Sequence, residues 1–375
     1  HISTQEKQQK QLNTALGRLA KRAMNSEDSW FLLRYQLVRE ELGDETEKGS
    51  LFWWALQLGL LKPIVLEAKS SAEKIYAFFH PTFQEYFAAL AVDDWHEFLT
   101  RVSEDPRQGI YRVFEPQWRE VILLWLGRED VERLQKEALI QALIEFDDGC
   151  EIFKNKDVHK GFYEYQAYFL AAAGIAEFQE SERAEEIASE FARYSCQTEW
   201  WIRDRASVTL LQTNYDLVGR ILTDLLATTE DAYTRRNIAE SLGKIDPGNR
   251  EAIAALAHLV AITEDENTCF CAAENLAKID PLNPKVIPVL FKLASPKVSD
   301  STFFLYLDFS LILLEKPLLT GQMPFVVSEW KSYLTEHFYE ADKFVYGQLF
   351  DTIWNCAQTL SYLEFYRAWH HLDNN

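Results

Sequence analysis

Asn237-Ile238-Ala239-Glu240-Ser241-Leu242-Gly243-Lys244-Ile245-Asp246-Pro247-Gly248-Asn249 returns downstream as Cys271-Ala272-Ala273-Glu274-Asn275-Leu276-Ala277-Lys278-Ile279-Asp280-Pro281-Leu282-Asn283. The offset stays at 34 residues, from Pro247 to Pro281, from Thr229-Glu230-Asp231 to Thr263-Glu264-Asp265 and from Ile253 to Ile287. Each unit reads as a helix, an Asp-Pro turn and a second helix capped by Asn249 or Asn283, with Pro284 in the first turn of the latter. Helix pairs of this kind cannot bury their apolar faces alone, so they stack into a solenoid. The fold class expected is therefore mainly α.

Weaker copies precede the two clear ones, at Arg205–Leu211 and before that at Phe169–Phe178, which places an array over residues 163–295. Beyond Pro296 the period fades. Phe303–Leu314 is an apolar helix, Pro317–Gly321 a break, and Phe350–His370 a final helical segment, so residues 296–375 are read as a capping region. Upstream, a helical pattern runs from Asp93 to about Leu143 with Trp95, Phe98, Phe114, Trp118, Val121 and Trp125. Residues 93–162 form a connector whose aromatics belong to a core.

Residues 1–92 read differently. A helix over Gln11–Met24 is followed by a second from about Trp30 to Leu42, ended by Gly43. A third starts after Ser50 as N-cap and is stopped by Pro63. Two β-prone runs, Ile64–Ala68 and Ile75–Phe79, then make a hairpin. Three helices and a hairpin is the order of a winged helix. The hairpin leads into Phe78-Phe79-His80-Pro81-Thr82-Phe83-Gln84-Glu85-Tyr86-Phe87-Ala88-Ala89-Leu90, where His80 reads as an N-cap and Pro81 as the first helical residue. Phe83, Tyr86, Phe87 and Leu90 form the apolar stripe of a buried helix. His80 then stands at the positive helix end, where an anion such as a phosphate is favoured.

The string around His80 resembles the F-x-H-x-x-F-Q-E-[YF]-x-A-A segment that ends the winged-helix domain of NACHT-type signal-transduction NTPases, within the STAND class. The 34-residue units resemble HEAT repeats that follow this domain in bacterial, especially cyanobacterial, NACHT proteins. The Trp354-Asn355-Cys356-Ala357-Gln358 to Trp369-His370 tail is similar to the element that closes the helical region in the same group. The resemblance implies that His80 contacts the β-phosphate of bound ADP and holds an inactive, closed state. It further implies an upstream NACHT NTPase domain as partner, a protein or other ligand on the repeat array, oligomerisation on activation, and an output in defence or stress signalling.

The phosphate-cradling G-x-x-x-x-G-K-[ST] loop is absent, because Gly243-Lys244 is followed by Ile245. This chain alone is thus expected to be no enzyme, and ADP or ATP with Mg is expected only alongside an NTPase domain. His1–Lys7 has no apolar core of a secretion signal and does not begin with Met, the look of a chain cut at a domain boundary. A net charge of −20 disfavours general nucleic-acid binding. So does the third helix, whose polar content before Lys62 is Gln57, leaving Arg18, Lys21 and Arg22 as a small solvated basic face. Five cysteines without a C-x-x-C pair suit a reducing cytoplasm and no metal framework. The longest apolar run, Ala167–Ala176, is too short to cross a bilayer. Cys356 with His370 or His371 is the one nucleophile–base pair that can be drawn, and a buried structural thiol is the reading preferred. The alternative to a nucleotide switch is a non-enzymatic HEAT-repeat scaffold.

Overall fold

A computed structural model describes residues 4–26, 30–64, 74–102, 106–147, 161–196, 200–280, 283, 285–286, 323–331, 353, 356–357, 359–360 and 362–370. The chain divides into two compact units, His1–Val218 and Gly219–Asn375. The described residues are mainly helical, with fifteen α-helices and five short strands.

The first unit opens with helix α1 (Thr4–Met24), strand β1 (Leu33–Arg34), helices α2 (Tyr35–Leu42) and α3 (Leu51–Gln57), strands β2 (Leu61–Pro63) and β3 (Ile75–Phe78), and helix α4 (Pro81–Leu90). The sheet order is β1-β3-β2, antiparallel throughout, with Leu33 opposite Tyr76 and Leu61 opposite Phe78. Helices and hairpin come in the order expected, and three details differ. The second helix begins at Tyr35, because Leu33 and Arg34 are drawn into the ladder against β3 and Leu33 is fully buried there. The third helix is capped by Ser50, which accepts from the Trp53 N–H at 3.0 Å, but it ends at Gln57. Gly59 then takes φ 67°, a left-handed turn that glycine makes without strain, so Pro63 falls in β2 on the sheet edge. The hairpin's first strand is accordingly Leu61–Pro63; residues 65–68, assigned to it from sequence, lie outside the described residues.

The connector is less uniformly helical than its pattern predicts. Strands β4 (Leu99–Thr100) and β5 (Ile110–Tyr111) form a small antiparallel ladder before helices α5 (Arg119–Leu126) and α6 (Arg133–Ile144). These strands are two residues long, too short to show a period of two. Phe98, Trp118 and Trp125 are fully buried here, with Trp125 edge-on to Phe98 at 5.5 Å. Helices α7 (Phe162–Glu177), α8 (Ala184–Cys196) and α9 (Trp200–Leu210) follow, and α10 (Tyr215–Thr228) contains the boundary between the units.

In the second unit, α11 (Ala232–Ile245), α12 (Arg250–Ile262) and α13 (Glu266–Ile279) repeat the same chemistry at the sequence offset. Asp231 caps α11 by accepting from the Thr234 N–H at 2.7 Å, and Asp265 caps α13 by accepting from the Thr268 N–H at 2.7 Å. Asn249 caps α12 through the Ala252 N–H at 3.0 Å. In both turns the asparagine amide donates to the preceding aspartate, Asn249 to Asp246 at 3.2 Å and Asn283 to Asp280 at 3.0 Å. Equivalent first helices touch each other, since Asn275 of α13 donates to Glu240 of α11 at 2.9 Å. Further on, α14 (Met323–Trp330) packs against α15 (Tyr362–His370).

Gly243 of α11 sits against Ile279 of α13. A Cβ added to Gly243 would lie 2.5 Å from Ile279 Cγ2, whereas one added to Gly219 meets nothing within 4 Å. Gly219→Ala should therefore raise stability by about 0.5–1 kcal/mol, the ordinary helical gain. Gly243→Val should lower it by about 1–3 kcal/mol through overpacking. Chemical denaturation of both variants checks the opposite signs.

Candidate functional site at the start of helix α4

The corner expected at His80 is present. His80 is the N-cap of α4, with extended backbone (φ −134°, ψ 145°), and Pro81 is the first helical residue. Its Nδ1 accepts from the Thr82 backbone N–H at 3.2 Å and lies 3.0 Å from the Thr82 hydroxyl. The ring is exposed and not sealed into the core.

The apolar stripe behind it faces inward only in part: Phe87 is buried and Leu90 half-buried, while the other two members are not. Phe83 and Tyr86 are 40% and 47% exposed, and Phe79, just before His80, is 58% exposed. The buried arc is Gln84, Phe87, Ala88 and Ala89. The cause is the close crossing of α1, where a Cβ on Gly17 would sit 3.0 Å from both Ala91 Cβ and the Phe87 carbonyl oxygen. The Phe87, Ala88 and Ala89 side of α4 meets that crossing, so Phe83 and Tyr86 are left toward solvent. Gln84 is fully buried, and its Nε2 donates to the Trp30 carbonyl at 2.5 Å.

Two residues near His80 escaped the sequence reading. Lys62 of β2 donates to the Phe79 carbonyl at 3.0 Å and lies over the Phe79 ring at 5.3 Å, which sets an ammonium beside the Phe79–His80 peptide. Glu85 is half-buried, and burial first, then the charge of Glu120, push its carboxyl above the usual range, while His80 acts in the opposite direction. Neither belongs to a recognisable motif, and the hairpin register is what brings Lys62 to this end.

The far end of α4 is built for structure. Arg128 donates to the Ala89 and Val92 carbonyls, both at 2.8 Å, and pairs with Asp130 at 2.9 Å. A groove of about 600 Å³ lined by Lys10, Asn13, Arg18, Ala91, Arg128 and Asp130 lies there, away from His80. The basic face of α1 is neutralised: Arg18 pairs with Glu41 at 3.0 Å, Arg22 with Glu40 at 2.9 Å and Glu41 at 2.8 Å, and Lys21 with Glu97. Helix α3 buries Phe52 and Ala55, while Trp54 and the C-cap Leu58 are exposed, so this almost wholly apolar helix, whose composition suits a buried one, is only half-buried.

In the C-terminal segment, Cys356 is fully buried, and burial pushes its thiol up to about 11. An activated thiolate needs the opposite shift. His370 is exposed at the end of α15, and His371 lies outside the described residues. The segment's visible role is packing: Phe365 stacks on Trp369 at 5.7 Å, the Lys331 ammonium donates to the Trp369 carbonyl, and Trp330 is fully buried. In the native chain at pH 8, Cys356 should react with iodoacetamide at least about a hundredfold more slowly than an ordinary thiol. Peptide mass spectrometry reads this rate, and alkylation at the ordinary rate would restore a nucleophile to consideration.

Among the described residues no group of three or more His, Cys, Asp or Glu is placed to hold a metal ion, and no helix is long and apolar enough to cross a membrane. Two family profiles match. Residues 219–300 match HEAT repeats, and residues 342–370 match a family described as NACHT C-terminal Cysteine and Histidine-containing. The first covers both clear repeats; the weaker copies expected before them are helical and lie outside it. The second spans Cys356 and His370, in the tail where the sequence pointed to NACHT proteins. No curated protein and no solved structure matches the chain. The chain therefore carries a NACHT-associated C-terminal part with HEAT-like repeats.

Proposed function

We propose that this chain is the regulatory and sensor part of a NACHT-type signal-transduction NTPase, with residues 1–92 acting as a winged helix that closes over ADP. The observation that carries this reading is the exposed His80 imidazole at the N-terminus of α4, on the same chain as a NACHT-associated C-terminal segment. The helix dipole favours an anion there, and Lys62 adds a positive charge nearby. The sequence has no P-loop, so the lysine that grips the nucleotide and the Mg ligands come from the NTPase domain.

The HEAT-like array senses a ligand or protein partner. Its ligand must bind the open state more tightly than the closed one, since equal affinity shifts nothing. Release of the closed state then allows ADP to exchange for ATP and the cytoplasmic protein to oligomerise. The test uses the protein with its NTPase domain. Deleting residues 219–375 should speed ADP exchange by about 5–150-fold, the span of ordinary allosteric couplings. An unchanged rate would remove the array from control of the nucleotide. It would favour the scaffold reading, which the repeated Asp and Asn caps of an evenly stacked array support.

A further inference from the structure

We propose that Thr82 is a positioning residue for His80, holding the neutral imidazole as its Nε2–H tautomer so that a hydrogen-bond donor faces any bound diphosphate. The tautomer follows from the cap. Thr82 Oγ1 lies 3.0 Å from Nδ1, and a hydroxyl can either donate to that nitrogen or accept from it, so this contact alone decides nothing. The backbone N–H of Thr82 decides it, because it points at the same Nδ1 from 3.2 Å and can only donate. A nitrogen that accepts an amide proton carries no proton of its own in the neutral ring. The proton therefore resides on Nε2, and the hydroxyl is left to donate as a second contact to Nδ1.

The consequence for recognition is specific. A phosphate oxygen only accepts, so an imidazole with its proton on Nδ1 would turn a lone pair toward the ligand and repel it. Pro81 fixes the first helical φ and has no N–H to compete, which keeps the Thr82 amide aimed back at the cap. Thr82 thus does for His80 what an outer hydrogen-bond partner does for a metal-bound histidine.

The role of the donor rests on the nucleotide reading above; the tautomer itself does not, and the two can fail separately. Long-range nitrogen–proton NMR of the ¹⁵N-labelled full chain without nucleotide, with His80→Asn identifying the resonance, measures the tautomer directly. The wild-type ring should show Nε2 protonated and Nδ1 as acceptor. Thr82→Val, which keeps the amide and removes the hydroxyl, should lower the ratio of the two tautomers about fivefold, and Thr82→Ser should restore it. Predominant Nδ1–H in the wild type, or a ratio unmoved in Thr82→Val with helix content intact, would overturn the proposal.

Discussion

Trp125→Ala should destabilise the first unit by about 3–5 kcal/mol, the cost of removing a large aromatic from a filled core. Trp125 is fully buried on α5, edge-on to Phe98 at 5.5 Å, and its Nε1 donates to the Val92 carbonyl at 3.0 Å. The lost hydrogen bond is the smaller part, because Val92 keeps the Arg128 donor at 2.8 Å. The cavity is the larger part. It opens where Phe98 and Trp118 also meet, with Arg112 lying over Trp118 at 4.4 Å, so no single side chain can move in to fill it. Trp54→Ala makes the contrast, since Trp54 is 38% exposed with an edge contact to Trp53 at 4.8 Å, and its loss should cost only about 1 kcal/mol. Denaturation followed by the remaining tryptophan fluorescence separates the two variants. Equal losses would mean that the aromatic content is spread over the surface and not concentrated in a core.

Much of the second unit was legible because repetition averages out ambiguity. A lone Asp-Pro turn is weak evidence, but Asp246-Pro247 and Asp280-Pro281 at one offset fix two helix boundaries at once; the cap at Asn249 stands where the sequence puts it, and Asp231 and Asp265 add caps that the sequence reading did not assign. The N-terminal unit was legible in its order and not in its exposure. Periodicity places Phe83, Tyr86, Phe87 and Leu90 on one arc of α4, yet cannot say which arc meets α1; Gly17 and the alanines settle that through a close crossing that spacing does not encode. Strands β4 and β5 went unseen because two residues carry no period, and β1 because its pairing with β3 is set by residues some forty positions away. At the candidate site, His80 and Pro81 could be found because capping is local chemistry. Lys62 could not, because only the hairpin register delivers it.

The second large effect concerns the nucleotide. A neutral imidazole donating to a phosphate is a hydrogen bond to a charged group, with a net contribution of about 1.5–3 kcal/mol, or roughly 10–100-fold in affinity. His80→Ala removes both that donor and the N-cap of α4, whereas His80→Asn supplies a cap oxygen and is too short to reach as the imidazole does. Paired, the two variants separate contact from capping. The decisive measurement is the ADP retained by the purified protein carrying its NTPase domain, compared among wild type, His80→Ala and His80→Asn. The account predicts ADP at near-stoichiometric level in the wild type and at least about a tenfold weaker hold in both variants, with α4 intact in His80→Asn. Equal ADP retention in all three would contradict it.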